Sequence, residues 1–357
     1  VARELTFAVS ADYERSTGGW VYDQRLLEGL ERLGWRIHRL TLPAGFPNPS
    51  PAARAEAAAG FCGIADGSLV LVDQLCLGVL PEVAQAEAAR LRLVMIVHHP
   101  LALENVRAPG ESQAYAASER EALRHVSAVI VTSAATAGLL SANYGVGHGR
   151  IIIAPPGVDR APVARGGSGR SLNLLSVGAV VPRKDHGTLI TALAGLRRLP
   201  WRLAIVGNTT RAPAHVAKLR TRIAASGLAS RVTLAGELPA RALARRWQTA
   251  DLYVAASRHE GYGIAIAEAL ARGLPVITTR AGAVGAWVGH HGALIVPNGN
   301  TAQLRAALTK VLTRQTLRAS LSRAALACRR ALPSWESTAQ TVHEELLLLR
   351  RASSQRL

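Results

Sequence analysis

Residues 259–278 read HEGYGIAIAEALARGLPVIT. A glycine–tyrosine–glycine turn leads into small apolar residues at helical spacing, and LPVIT then reads as a buried strand. Upstream, LYVAAS is a second short apolar strand ending at Ser257. Strand, glycine turn, helix and strand in this order make a parallel α/β unit. In such units ligands gather at the carboxyl ends of the strands. The turn is therefore the place to look for chemistry. It holds Glu260, and Glu268 follows one to two helical turns in. The free amides around Gly263 to Ala265 would form an anion site backed by the helix dipole. Two acids flanking that site would accept hydroxyls on either side of a bound phosphate.

Working outward, the same alternation fills the chain. LTFAVS, RIHRLTL, SLVLVDQ, LRLVMIVHH, AVIVTS and RIIIAPPG read as strands before residue 160. LNLLSVG, WRLAIVGN, RVTLAGE, LYVAAS, LPVITT and GALIVP follow residue 171. Helical patterns lie between them, such as VYDQRLLEGLERLG with Leu26, Leu27, Leu30 and Leu33 on one face. The stretch between, 160–171, is Gly-, Ser- and Arg-rich without periodicity. The expected fold class is thus α/β, two open parallel-sheet halves facing a cleft. The expected division is 1–160, a linker over 161–171, 172–332, and a last helix over 333–357 whose leucine-rich end needs a surface to cover it.

Formal net charge is +18, very unevenly spread. Residues 1–160 carry 14 Arg and 16 Asp+Glu, so the remaining residues hold 28 of the 42 basic side chains against 8 acids. That imbalance suits an anionic ligand or surface on the second half, or simply a solvated Arg-rich face. Nucleic acid is disfavoured, because aromatics are only 4% and no helix-turn-helix or zinc pattern is present. Three scattered cysteines argue against a disulfide framework and fit a reducing compartment. No apolar run reaches membrane-spanning length and no secretory signal is visible, so the expected location is cytoplasmic. The basic half leaves open a peripheral contact with anionic membrane on its inner face.

SVGAVVPRKDH, after the first strand of the second half, places Arg183 and Lys184 where they could neutralise a diphosphate. Together with this segment, 257–278 resembles the E-x7-E signature of retaining glycosyltransferases of family four, in its form EGxGxxxxEAxAxGxPV. IIIAPPGVD and STGGWVYDQRLLEGLERLGW are similar to two further segments of that family, and the order and spacing match from about residue 5 to 345.

The resemblance implies a GT-B architecture: two Rossmann-like parallel-sheet domains facing a central cleft, the acceptor mainly in the first, the nucleotide-sugar in the second, and the last helix crossing back to the first. It also implies transfer of a hexose-type sugar, with retention, from a UDP- or GDP-sugar to a hydroxyl acceptor. On it, Glu260 would bind donor-sugar hydroxyls and Glu268 the ribose. Gly261, Tyr262, Gly263 and Ile264 would frame sugar and phosphates, and Lys184 with Arg183 would meet the diphosphate. Gly18 and Gly19 would approach the donor phosphates, and His98 would contact the donor sugar near the reacting centre. Asp73 and His99 are candidates for acceptor contact. Two positions depart from the pattern: Ala179 where many relatives carry arginine, and Ala286 where an acid is common. His290 and His291 beside the latter could reach the site.

Neither histidine pair has a carboxylate or cysteine at metal-ligand spacing and no Asp-x-Asp is present, so no metal and no cofactor are expected. Rival readings are a nucleotide-sugar epimerase or phosphorylase of the same architecture, and a basic protein binding nucleic acid or membrane. A dinucleotide oxidoreductase is disfavoured because VSADYERSTGGW lacks G-x-G-x-x-G.

Overall fold

The computed structural model describes residues 3–13, 17–103, 110–289 and 292–354. His290 and His291 lie outside the described residues. All twelve strands read from the sequence form, in two six-stranded parallel sheets. The first sheet holds β1 (Arg3–Ser10), β2 (Trp35–Leu42), β3 (Leu69–Asp73), β4 (Arg92–Val97), β5 (Ala128–Val131) and β6 (Ile151–Ile153), in the order β2-β1-β3-β4-β5-β6. The second holds β7 (Leu172–Val177), β8 (Trp201–Val206), β9 (Val232–Leu234), β10 (Leu252–Ala255), β11 (Val276–Thr279) and β12 (Ala293–Val296), in the order β12-β11-β10-β7-β8-β9. In each sheet the strand order reverses once, between β1 and β3 and between β7 and β10. Loops leaving such a reversal diverge to opposite faces and open a crevice at the strand ends.

The strands are continuous apolar runs because both faces of each sheet are covered. Along β4, Leu93, Met95 and Val97 enter one core while Val94 and Ile96 enter the other. Along β10, Leu252 and Val254 alternate with Tyr253 and Ala255 in the same way.

The chain groups into two compact units, one containing Gly19–Gly157 with Pro333–Leu357 and the other Val158–Leu332. The last helix spans Trp335–Ser354. It starts after Pro333 because Ser334 caps it, its hydroxyl accepting from the Ser337 amide at 3.1 Å. Trp335, Ala339, Val342 and Leu346 are buried against Leu26, Leu30 and Trp35, and Trp35 Nε1 donates to His343 Nδ1 at 2.9 Å. Residues 161–171 are tied down, not free. Ala164 N donates to Arg272 O, Arg165 N to Gln248 O, and Gly167 N to Asp251 Oδ1. A polar, aperiodic sequence hides such bonds because they use main-chain groups that composition does not show.

One buried acid of the first unit has no place in the sequence reading. Glu119, on the helix Glu111–Arg124, is fully buried and accepts from the Leu101 amide at 3.0 Å. Burial pushes its carboxyl up to about 8, against the pull of the Leu101 amide and the Tyr144 hydroxyl. Among the described residues, no helix is long and apolar enough to cross a membrane.

Candidate active site

In the second unit the reversal between β7 and β10 gathers the predicted residues. The turn Pro182–Lys184 follows β7, and Ser257–Gly263 follows β10. Two bonds join them: Arg258 N donates to the Arg183 carbonyl at 2.8 Å, and the Arg183 side chain donates from Nη1 to the His259 carbonyl at 3.1 Å. Glu260, 7% exposed, sits at the junction. Its Oε1 accepts from Lys184 Nζ and from Ser257 Oγ, both at 2.6 Å, and its Oε2 lies 3.7 Å from Arg183 Nη1. Burial alone would raise this carboxyl. The Lys184 and Arg183 charges, with the two hydrogen bonds, outweigh it and bring the group down to about 2.

Local backbone explains how lysine and acid meet. Gly178, at the end of β7, has φ +148°, and a Cβ there would lie 3.1 Å from Lys184 Cε. The glycine clears the path of the lysine stem. Asp185 carries the unusual φ of +43° and caps the next helix through Thr188, while its Oδ2 accepts from Arg258 Nε at 3.0 Å. Gly263 (φ +93°) ends the turn and starts the helix Ile264–Ala271. Most side chains would be strained in that left-handed conformation.

Since Glu260 titrates from an ordinary 4.5 down to about 2 on folding, its contribution is present above pH about 4.5 and is lost as pH falls toward 2. That contribution is on the order of 3 kcal/mol. Urea unfolding at pH 5 and pH 3 should show that loss for the wild type. Glu260→Gln should flatten this part of the slope; an unchanged slope would mean the carboxylate is not held by its cations.

The remaining predicted residues fall differently. Glu268 lies on the following helix, half-buried, and contacts neither Lys184 nor Arg183 among the bonds found. Burial raises its carboxyl, Arg272 lowers it, and Asp159 raises it. Tyr262 is buried with its ring stacked on Trp287 at 4.7 Å, and Trp287 Nε1 donates to the Tyr262 carbonyl at 2.8 Å. Ile264 is half-buried, while Ile266 and Leu270 on the same helix are buried.

The first unit's reversal gathers a second group. His98 follows β4, and its Nε2 lies 3.3 Å from Asp23 Oδ1 and 3.7 Å from Asp73 Oδ2. Asp73, at the end of β3, is fully buried. Its Oδ1 caps Leu75 N at 2.7 Å and its other oxygen faces His98, so both are engaged inside the unit. His99 is buried too, its carbonyl accepting from the Gln74 amide. Gly19 lies against His98, where a Cβ would come within 2.9 Å of Cδ2. Gly18 opens the helix Gly18–Arg32. Asp23 Oδ1, Asp73 Oδ2 and His98 Nε2 lie within 4.8 Å of one another, residue types that also ligate divalent metals.

Sequence reasoning missed Ser257, Asp185 and Asp23. For Asp23 a signal existed, because it lies at positions i, i+3, i+4 and i+7 with Leu26, Leu27 and Leu30, an acid on the apolar face. Ser257 and Asp185 carry no pattern that separates them from ordinary loop residues.

Known proteins place this architecture. The family model described as "Glycosyl transferase 4-like domain" matches residues 18–157, and "Glycosyl transferases group 1" matches 166–327. A D-inositol 3-phosphate glycosyltransferase of Jonesia denitrificans is 28% identical over 67% of this chain and 63% of its own length. One of Kineococcus radiotolerans is 29% identical, covering 56% and 52%. The matched stretch thus spans only about half to two-thirds of these relatives. An MMP alpha-(1->4)-mannosyltransferase of Mycolicibacterium hassiacum is 28% identical over 76% of this chain and 68% of its own. Among solved structures, a sucrose-phosphate synthase from Thermosynechococcus elongatus superposes with TM-score 0.83 at 20% identity, covering 98% of this chain and 100% of that one. HepE of Anabaena, solved in complex with UDP-glucose, gives 0.78 at 18%, covering 96% and 99%. With two six-stranded parallel sheets, and with both glycosyltransferase domain models matched in chain order, the protein has the GT-B glycosyltransferase fold.

Proposed function

We propose that the protein is a retaining glycosyltransferase of the family-four type. It would move a hexose-type sugar from a nucleoside diphosphate sugar to a hydroxyl acceptor without a metal. The observation that carries this reading is the buried Lys184–Glu260–Ser257 cluster, flanked by Arg183, at the strand reversal of the second unit. The names of the relatives, and UDP-glucose in the HepE structure, support the donor class.

Each side chain then has a task. Lys184 donates one N–H to the Glu260 carboxylate and has two more N–H donors for a diphosphate, with Arg183 beside it. These cations, with the amides at the start of the helix Ile264–Ala271, stabilise charge on the leaving diphosphate. Preorganised donors of this kind are often the largest catalytic contribution. Glu260 Oε2, the less engaged oxygen, accepts a donor-sugar hydroxyl. Glu268 takes the ribose, with Gly261, Tyr262, Gly263 and Ile264 lining the turn, and His98 keeps the sugar-contacting role that the family resemblance implies. The leaving diphosphate oxygen accepts the proton of the incoming hydroxyl.

A thermal-shift series of nucleoside diphosphates and nucleotide sugars tests the proposal. A ligand at a hundred times its Kd should stabilise by about 2.7 kcal/mol, and the base giving the shift names the donor. No shift with any nucleotide, together with no sugar transfer, would overturn the reading.

A further inference from the structure

Asp23 is a fully buried carboxylate in the middle of the helix Gly18–Arg32, whose other inward positions are Tyr22, Leu26, Leu27 and Leu30. A carboxylate there is costly unless it is paired. Its Oδ2 accepts from the Tyr13 hydroxyl at 3.0 Å, and its Oδ1 faces His98 Nε2 at 3.3 Å. The ring of His98 is held on other sides as well. Tyr22 meets it edge-on at 5.3 Å and Gly19 lies against Cδ2, while Thr132 Oγ1 anchors the main chain by donating to the His98 carbonyl at 3.2 Å.

We infer that Asp23 is a positioning residue for His98: its carboxylate, with Asp73 behind it, keeps the proton on Nε2, sets the tilt of the ring and favours its charged form. This inference rests on the proposed transferase reading only for its catalytic consequence. The placement itself stands on geometry within the first unit. In the neutral ring the arrangement leaves Nδ1 as the acceptor, and in the charged ring Nδ1 becomes a second donor. Asp23 acts through His98 and needs no contact with substrate.

Among the described residues, the other titratable groups at this cluster are Tyr13, bound to Asp23, Tyr22, edge-on to the ring, and Asp73, with Cys76 near enough to sense both aspartates. Burial raises Tyr13, Tyr22 and Cys76, so all three stay neutral at pH 7. Burial, and then the charge of Asp23, push the Asp73 carboxyl up to about 7, opposed by His98, the Leu75 amide and Tyr13. Among the described residues Asp23, at 3.3 Å against 3.7 Å for Asp73, is the acid nearest to His98 and the one to remove.

The test uses the full chain with labelled histidine, assigning the His98 ring resonances by their loss in His98→Gln. In Asp23→Asn the His98 titration midpoint should fall by about 1–3 pH units, since an opposite charge has been removed from its side. Asp73→Asn should move it in the same direction and by less, and serves as the second variant if Asp23→Asn does not fold. A midpoint unchanged in folded Asp23→Asn would overturn the inference. So would a divalent ion held stoichiometrically by the wild type and lost with Asp23, which would make the cluster a metal site. For transfer, Asp23→Asn should lower kcat about tenfold with little change in the KM for donor, while Asp23→Glu recovers part of it. Equal kcat in both proteins would remove any role for Asp23 in the reaction. Absence of transfer by the wild type would sink the transferase reading alone, leaving the resonance result to decide the pairing.

Discussion

Lys184→Ala is expected to lower sugar transfer by about ten- to a hundredfold, the rate equivalent of one charge-assisted contact worth about 1.5–3 kcal/mol. The geometry adds a second effect, on stability. Lys184 is bound to Glu260 at 2.6 Å, and both side chains are largely buried. Removing the lysine leaves a buried carboxylate with Arg183 at 3.7 Å as its nearest remaining cation. Urea unfolding should therefore show a further loss on the order of 2 kcal/mol. The double variant Lys184→Ala with Glu260→Gln should recover much of that stability, because no unpaired buried charge remains, yet transfer should stay low. Full activity in folded Lys184→Ala would remove the lysine from the reaction. Additive stability losses in the double variant would show that the two side chains do not sense each other.

Glu119→Gln should raise stability above neutral pH. The carboxyl of Glu119 shifts from an ordinary 4.5 up to about 8 on folding. Its folded form is therefore favoured below pH about 4.5, and that advantage is lost as pH rises toward 8. At pH 7 the unfolded chain gains ionisation energy on the order of 3 kcal/mol that the folded chain cannot match. Glutamine keeps an acceptor for the Leu101 amide and never ionises. Melting curves should coincide at pH 4 and separate steadily to pH 8, with the variant higher. Parallel curves at every pH would show that Glu119 is not the titrating group.

The candidate site was legible to different degrees. Glu260, Arg183 and Lys184 stood out because each follows an apolar strand, and strand ends in parallel sheets are where loops meet. Their direct pairing was not legible: 76 residues separate Lys184 from Glu260, and only the placement of β10 beside β7 brings them together. Reading the two as independent contacts, one for phosphate and one for sugar, overlooked the electrostatics that couple them. The burial of Asp73 was not legible either, because it ends a strand, where exposure depends on what packs above. Asp23 was visible as an acid on an apolar helix face, but the periodicity could not say that a histidine 75 positions later would meet it.

By itself, the sequence determined the twelve strands, their parallel alternation with helices and the apolar faces of those helices. Each of these follows from residues within a few positions of one another, through period and burial. Tertiary structure alone decided which strands became neighbours, where the two reversals fell and which acids met which cations. Those outcomes depend on contacts tens of residues apart, where a charge's partner and its desolvation are set by packing and leave no local mark on the chain.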